Sequence, residues 1–261
     1  MSSQGITGPK PPKASEALSR MAAVQAQDFE MAKWALGLRT AEPRRSRVEV
    51  AIDSGEILRI HLLRPTWHLV AREDVRWILA LSAPRIKAGL ASRHRQLSIT
   101  ASVLAKSLEI MGRALAERGE LSRREVIDAL GQGGIATNES RASHLFLFAE
   151  LEALICSGGN AGRETRYALF DARVPRSAAM GRDEALARLA RCYFGSRGPA
   201  ALEDFAWWSG LTVGDARQAL DSIAAELGEA EIEGRSYRFS EAAAASPEPG
   251  PSLHLLPAFD E

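Results

Sequence analysis

Apolar residues recur at helical spacing along most of this chain, and three stretches break the rhythm by alternating instead. Before the first break, EALSRMAAV and DFEMAKWALGLR predict two helices, with Asp28 standing where the N-cap of the second belongs. SRVEVAIDSG predicts a third, stopped by Gly55. ILRIHLL (57–63) and TWHLVA (66–71) then alternate and are rich in β-formers, and Arg64-Pro65 joins them, which predicts a hairpin. REDVRWILALSAPRIKAGL resumes helical spacing, with Asp74 near its start.

The later breaks repeat this order. AERGELSRREVIDAL (116–130) and GSRGPAALEDFAWWSGL (195–211) both carry Arg-Gly, then a helix with an early acidic residue, Glu125 or Asp204. A second helix follows each, SRASHLFLFAELEALI (140–155) and TVGDARQALDSIAAEL (212–227), with Ser140 and Thr212 at N-cap positions. Each leads into a β-type segment, RETRYALF (163–170) or GRSYRFS (234–240). Helices followed by a small ribbon is the order of a winged helix-turn-helix. The fold class expected is therefore mainly α with small β-hairpin wings, in tandem winged helix-turn-helix domains; the rival is an unspecific helical array. The divisions expected are 14–103, 104–176 and 177–240. MSSQGITGPKPPK (1–13) is expected to be a disordered lead-in and EAAAASPEPGP (241–251) a Pro/Ala linker.

Composition narrows this less than charge placement does. Lys+Arg and Asp+Glu are equal at 33 each, so net charge gives no reason to expect a nucleic acid. Yet no Asp or Glu occurs between Val75 and Leu108, where Arg76, Arg85, Lys87, Arg93, Arg95 and Lys106 stand, and Arg44, Arg45 and Arg47 form a second cluster before the hairpin. Such runs are either solvated faces or a phosphate-binding footprint, and both readings stand. Cys156 and Cys192 lie far apart and the histidines are dispersed, so neither a metal site nor a disulfide framework is expected. No apolar run reaches the roughly 18–20 residues a membrane helix needs. A cytoplasmic, nucleoid-associated location is expected, with no cofactor.

One stretch resists the hydrophobic pattern. In AAVQAQDFEMAKWALGLR (22–39), Gln25 and Gln27 interrupt an apolar run that buries Leu18, Met21 and Val24. VQAQD, the Trp34–Arg39 segment, ILRIHLLRPTWHLVAREDVRWILALSAPR, RGPAALEDFAWWSGL and LLPAFDE together resemble the AlkZ/YcaQ family of winged-helix DNA glycosylases, from about Ser15 to Glu261. The resemblance implies three tandem winged helices forming a concave DNA-binding surface, and excision of alkylated bases, cross-linked ones included. It also implies a catalytic Gln-x-Gln or Gln-x-Asp motif, matched here by Gln25-Ala26-Gln27 at a helix end facing DNA. The family's LLPAFDE segment continues further, so 252–261 is expected to be the start of a truncated C-terminal segment.

Glutamine takes up no proton near neutral pH, but it orients water and presents a carbonyl dipole to a developing cation. In an extended segment residues i and i+2 share one side, so both amides would face one cleft. Asp28 is either the N-cap of the next helix or a rival catalytic carboxylate. Arg64, Thr66 and His68 either contact phosphate or simply complete the hairpin. Arg44, Arg45, Arg85, Lys87, Arg93 and Arg95 are the further DNA-contact candidates. Trp207-Trp208 is a base-stacking platform or core. The function expected is a monomeric DNA N-glycosylase for alkylated, cationic bases in duplex DNA; the alternative is a non-catalytic tandem winged-helix DNA binder.

Overall fold

The computed structural model describes residues 1–138, 140–161, 164–241, 253–258 and 260. The first unit runs α1 (Ala14–Met21), β1 (Val24–Gln25), α2 (Phe29–Leu38), α3 (Arg45–Asp53), β2 (Ile57–Leu62) and β3 (Thr66–Ala71). The long α4 (Val75–Gln96) leads to α5 (Ala101–Arg118), β4 (Leu121–Ser122), α6 (Arg123–Gln132), α7 (Arg141–Leu151), β5 (Ile155–Ala161), β6 (Glu164–Leu169) and the short α8 (Phe170–Arg173). The last unit is α9 (Arg182–Arg197), α10 (Leu202–Ser209), α11 (Val213–Ser222), β7 (Gly228–Ile232) and β8 (Arg235–Phe239). The fold is mainly helical with small antiparallel wings, in tandem winged-helix units. The first two wings gain a short third strand, in the orders β1-β3-β2 and β4-β6-β5, while β7-β8 stays a two-stranded ribbon. Among the described residues no helix is long and apolar enough to cross a membrane.

Local chemistry explains most boundaries. Asp28 accepts from the Met31 N–H at 3.1 Å and starts α2. Ser122 and Glu125 form a reciprocal capping box on α6, and Thr212 accepts from the Asp215 N–H at 3.0 Å on α11. Ser140 departs from expectation: its hydroxyl accepts from Arg93 at 3.0 Å and makes no cap bond. Asp74 is likewise more than a helix start. Buried, it accepts from Ser19 Oγ at 2.6 Å, from Trp77 Nε1 at 2.9 Å and from Arg188.

The units are not packed as separate beads. One apolar cluster runs through Leu58 and Ile60 of β2, Trp77 and Ile78 of α4, Leu147 of α7, Leu186 and Phe194 of α9, and Phe205 and Trp208 of α10. Each such side chain contributes about 1.5–3 kcal/mol when fully buried. The outer edge of β2 is closed by the second unit. The Arg59 N–H donates to Ser157 Oγ and the His61 N–H to Glu150 Oε2, both at 2.9 Å. An edge strand that would otherwise invite pairing is thereby covered.

Residues 1–13 differ from the disordered lead-in expected. Ile6 is buried, the Gln4 carbonyl accepts from Arg39 Nε at 2.9 Å, and Lys10 donates to the Leu38 carbonyl at 2.6 Å. A Pro-rich, polar segment is held here by two cation–carbonyl bonds, one donated by Arg39 of the first unit and one by the segment's own Lys10. The linker expected over 241–251 lies, apart from Glu241, outside the described residues.

Candidate active site

Of Gln25-Ala26-Gln27, Gln25 ends the edge strand β1, and Ala26 and Gln27 lead from it to Asp28, the N-cap of α2. α1 stops at Met21, Ala22 takes a positive φ of 62°, and the chain turns into β1. There Val24 pairs with Leu69 and Gln25 with His68, and the Ala26 N–H donates to the Trp67 carbonyl at 2.7 Å. Ala26 is buried, Gln25 half-buried and Gln27 exposed, as alternation along an extended segment requires. The amide oxygen of Gln25 accepts from Arg64 Nη2 at 2.9 Å, and that of Gln27 from the Trp67 N–H at 3.2 Å. Both glutamines line one cavity of about 260 Å³, with Asp28, Met31, Ala32 and Ala258.

Gln25 also walls a second cavity of about 410 Å³, shared with Arg64, Tyr193, Arg197, Asp204, Trp207, Trp208 and Asp260. That volume lies within the range of about 300–1,000 Å³ typical of small-molecule sites. Trp208 is 5% exposed and packs on Tyr193, whereas Trp207 is 72% exposed at the cavity rim. The Arg64 guanidinium lies 4.4 Å from the centre of the Trp207 ring. Gly210, with φ +69°, makes this approach possible: a Cβ there would stand 2.5 Å from the Leu63 carbonyl oxygen.

Residues 18–261 match the model of a family described as DNA glycosylase AlkZ-like. The chain belongs to that family. It is 26% identical, over 269 residues, to the interstrand DNA cross-link repair glycosylase of Streptomyces sahachiroi, covering 96% of this chain and 71% of that protein. Its fold is similar to the solved structure of the Streptomyces sahachiroi DNA glycosylase AlkZ, with a TM-score of 0.76 at 23% identity, over 95% of this chain and 70% of that one.

In this AlkZ-like chain the other candidates scatter. Asp28 caps α2 and also reaches the cavity of the glutamines. His68 is not a surface residue: it is 0% exposed, the cross-strand partner of Gln25, with Nδ1 2.9 Å from the Thr66 carbonyl. Burial on the core face of the wing removes it from phosphate contact. Thr66 is half-buried in the hairpin beside it. Arg44 and Arg45 are exposed at the start of α3, but Arg45 is engaged by Glu30 and Glu49 at 2.7 Å each. On α4, Arg85, Arg93 and Arg95 are exposed, while Lys87 pairs with Glu152 at 2.9 Å. Burial pushes the Cys156 thiol up to about 12 and Cys192 up to about 11, so neither offers a thiolate near neutrality.

Two arginines not singled out as site residues hold the glutamine segment, and a third holds Asp260. Arg59 donates to the Ala26 carbonyl at 3.1 and 2.8 Å and to the Gln27 carbonyl at 3.4 Å, its guanidinium set between Phe29 and Trp67 at 4.8 and 4.5 Å. Arg197 reaches across from α9 to the carbonyls of Met21 and Ala23 at 3.0 and 2.9 Å. Arg39, 1% exposed, makes a bidentate pair with Asp260, both bonds 2.8 Å, and so seats the C-terminal residues against the site. Arg197 had one sequence signal, its place in the repeated Arg-Gly pair.

Proposed function

We propose that this chain is a DNA glycosylase that hydrolyses the N-glycosidic bond of alkylated, cationic bases in duplex DNA, cross-linked bases included, with Gln25 and Gln27 carrying the chemistry. One copy of the chain is the acting unit, at the nucleoid. The observation that carries this reading is the pair of amides fixed against the first wing and opening on one cavity. Family membership supports the reaction class.

A purine alkylated at N7 or N3 is already a cationic leaving group. Its C1′–N bond breaks with the electron pair going to the base, which departs neutral, and the sugar becomes oxocarbenium-like. Water then adds at C1′ and gives its proton to solvent. No strong acid is required to expel the base. Fixed dipoles aimed at the developing charge, and a positioned water, are sufficient. Arg59 and Arg197, bonded to the backbone of this segment, keep those dipoles in place before substrate arrives.

The test is release of N7-methylguanine from duplex DNA by the wild type and by Gln25→Ala and Gln27→Ala. Release by the wild type that falls sharply in both variants is expected. A folded wild type that binds the duplex and releases no base from any alkylated DNA leaves the non-catalytic winged-helix reading.

A further inference from the structure

Arg64 makes two contacts that a substrate of this chemistry would itself make. Its guanidinium carbon sits over Trp207, 4.4 Å from the ring centre, and its Nη2 donates to the Gln25 side-chain carbonyl at 2.9 Å. A guanidinium is a planar, delocalised cation with N–H donors along its edge. A purine alkylated at N7 or N3 is also a planar cation with N–H donors along its edge. An aromatic face attracts such a cation, most strongly when the face is tryptophan.

We propose that Trp207 and the Gln25 carbonyl form a subsite for the cationic base, and that Arg64 occupies it as a surrogate until the base displaces it. The identity of the ligand rests on the glycosylase reading above. Trp207 becomes a residue that selects cationic over neutral bases, and Arg64 a gate. Its place at the hairpin tip, beside exposed Pro65, lets the guanidinium swing to a phosphate, which it binds well. Entry of the base and engagement of the backbone are thereby coupled.

The surroundings favour this use. Trp207 stays exposed although Phe205, Ala206, Trp208 and Ser209 anchor α10 in the protein. The close approach of Gly210 to Leu63 fixes the distance between ring and wing tip. When Arg64 leaves, the charged residues lining the cavity among the described residues are Asp204, Asp260 and Arg197, a set that tolerates an incoming cation better than it did with Arg64 in place. Gln25 stands between the two cavities, so a base on Trp207 presents its sugar to the side that Gln27 shares.

The decisive measurement does not need catalysis. Free 7-methylguanosine, at mildly acidic pH where it is cationic, and neutral guanosine are titrated separately against tryptophan fluorescence. Saturable quenching by 7-methylguanosine and little by guanosine is expected, reduced by Trp207→Phe and abolished by Trp207→Ala. Arg64→Ala should bind the free nucleoside more tightly, by about 5- to 30-fold, because no cation–π contact has to be broken first. Equal quenching by both nucleosides overturns the proposal, as does an unchanged Trp207→Ala or a weaker Arg64→Ala. The base-release assay separates the two claims. A protein that releases no base yet shows Trp207-dependent binding of 7-methylguanosine loses the enzyme reading and keeps the subsite. One whose Trp207→Ala variant releases N7-methylguanine at the full rate keeps the enzyme and loses the subsite.

Discussion

Asp28 and Gln27 are neighbours in sequence but do different work. Asp28 accepts the Met31 N–H at 3.1 Å, so Asp28→Ala should cost about 0.5–2 kcal/mol in denaturant unfolding. Asp28→Asn keeps the acceptor and should keep both stability and base release. A well-folded Asp28→Asn that released no base would move the chemistry onto this carboxylate. Gln25→Ala and Gln27→Ala should stay folded and bind DNA, with single-turnover base release slower by about 100- to 1,000-fold, the usual loss for a dipole aimed at a transition state. Gln27→Asp should retain release or alter its pH profile. The glutamines were legible because two amides interrupted an apolar run. Arg59 was not, because its task is to meet the carbonyls of Ala26 and Gln27, and backbone atoms leave no mark in a sequence.

Elements carry constraints that no single side chain reveals. The turn after α10 is pressed against the first wing at Gly210. Gly210→Ala should lower stability by at least about 1–2 kcal/mol from the left-handed backbone alone, with a further loss from the clash at Leu63. Thermal unfolding checks this, and a wild-type melting temperature would show that the contact yields. Across α4 and α7, His94 and His144 stack edge-on with ring centres 5.3 Å apart. Burial lowers both from the usual value near 6.5, helped for His144 by His94 and Arg93. Folded rings hold protons less well than unfolded ones, so their contribution is complete above about 6.5 and is lost as pH falls through that value toward the depressed folded ones. The urea midpoint should therefore drop across that window, and His144→Gln should flatten the slope. Helices and hairpins were readable from periodicity and caps. The two-residue strands β1 and β4 were not, since two residues have no period, and β1 is the one that carries Gln25.

For the whole molecule, zero net charge hides an uneven surface. Arg85, Arg93 and Arg95 on α4 and Arg44 ahead of α3 are exposed, so if they meet phosphate, duplex affinity should fall linearly on a log–log plot against salt. Arg93→Ala with Arg95→Ala should make that slope shallower, and affinity constant from low to moderate salt would remove this face from DNA. The order of the units could be read from their repeats; their shared core could not, because it joins β2, α4, α7, α9 and α10 across long separations.

The Arg39–Asp260 pair spans 221 residues. Gln4 and Ala35 supply carbonyls to the guanidinium early, but its counter-charge is translated last among its partners. At about 5–20 residues per second this is a wait of roughly 10–45 s. During synthesis the first unit therefore holds a cation with acceptors but no anion. Its final consolidation follows translation of the distant carboxylate, and a nascent chain stalled before Asp260 would display a looser, more protease-sensitive first unit than one that carries it.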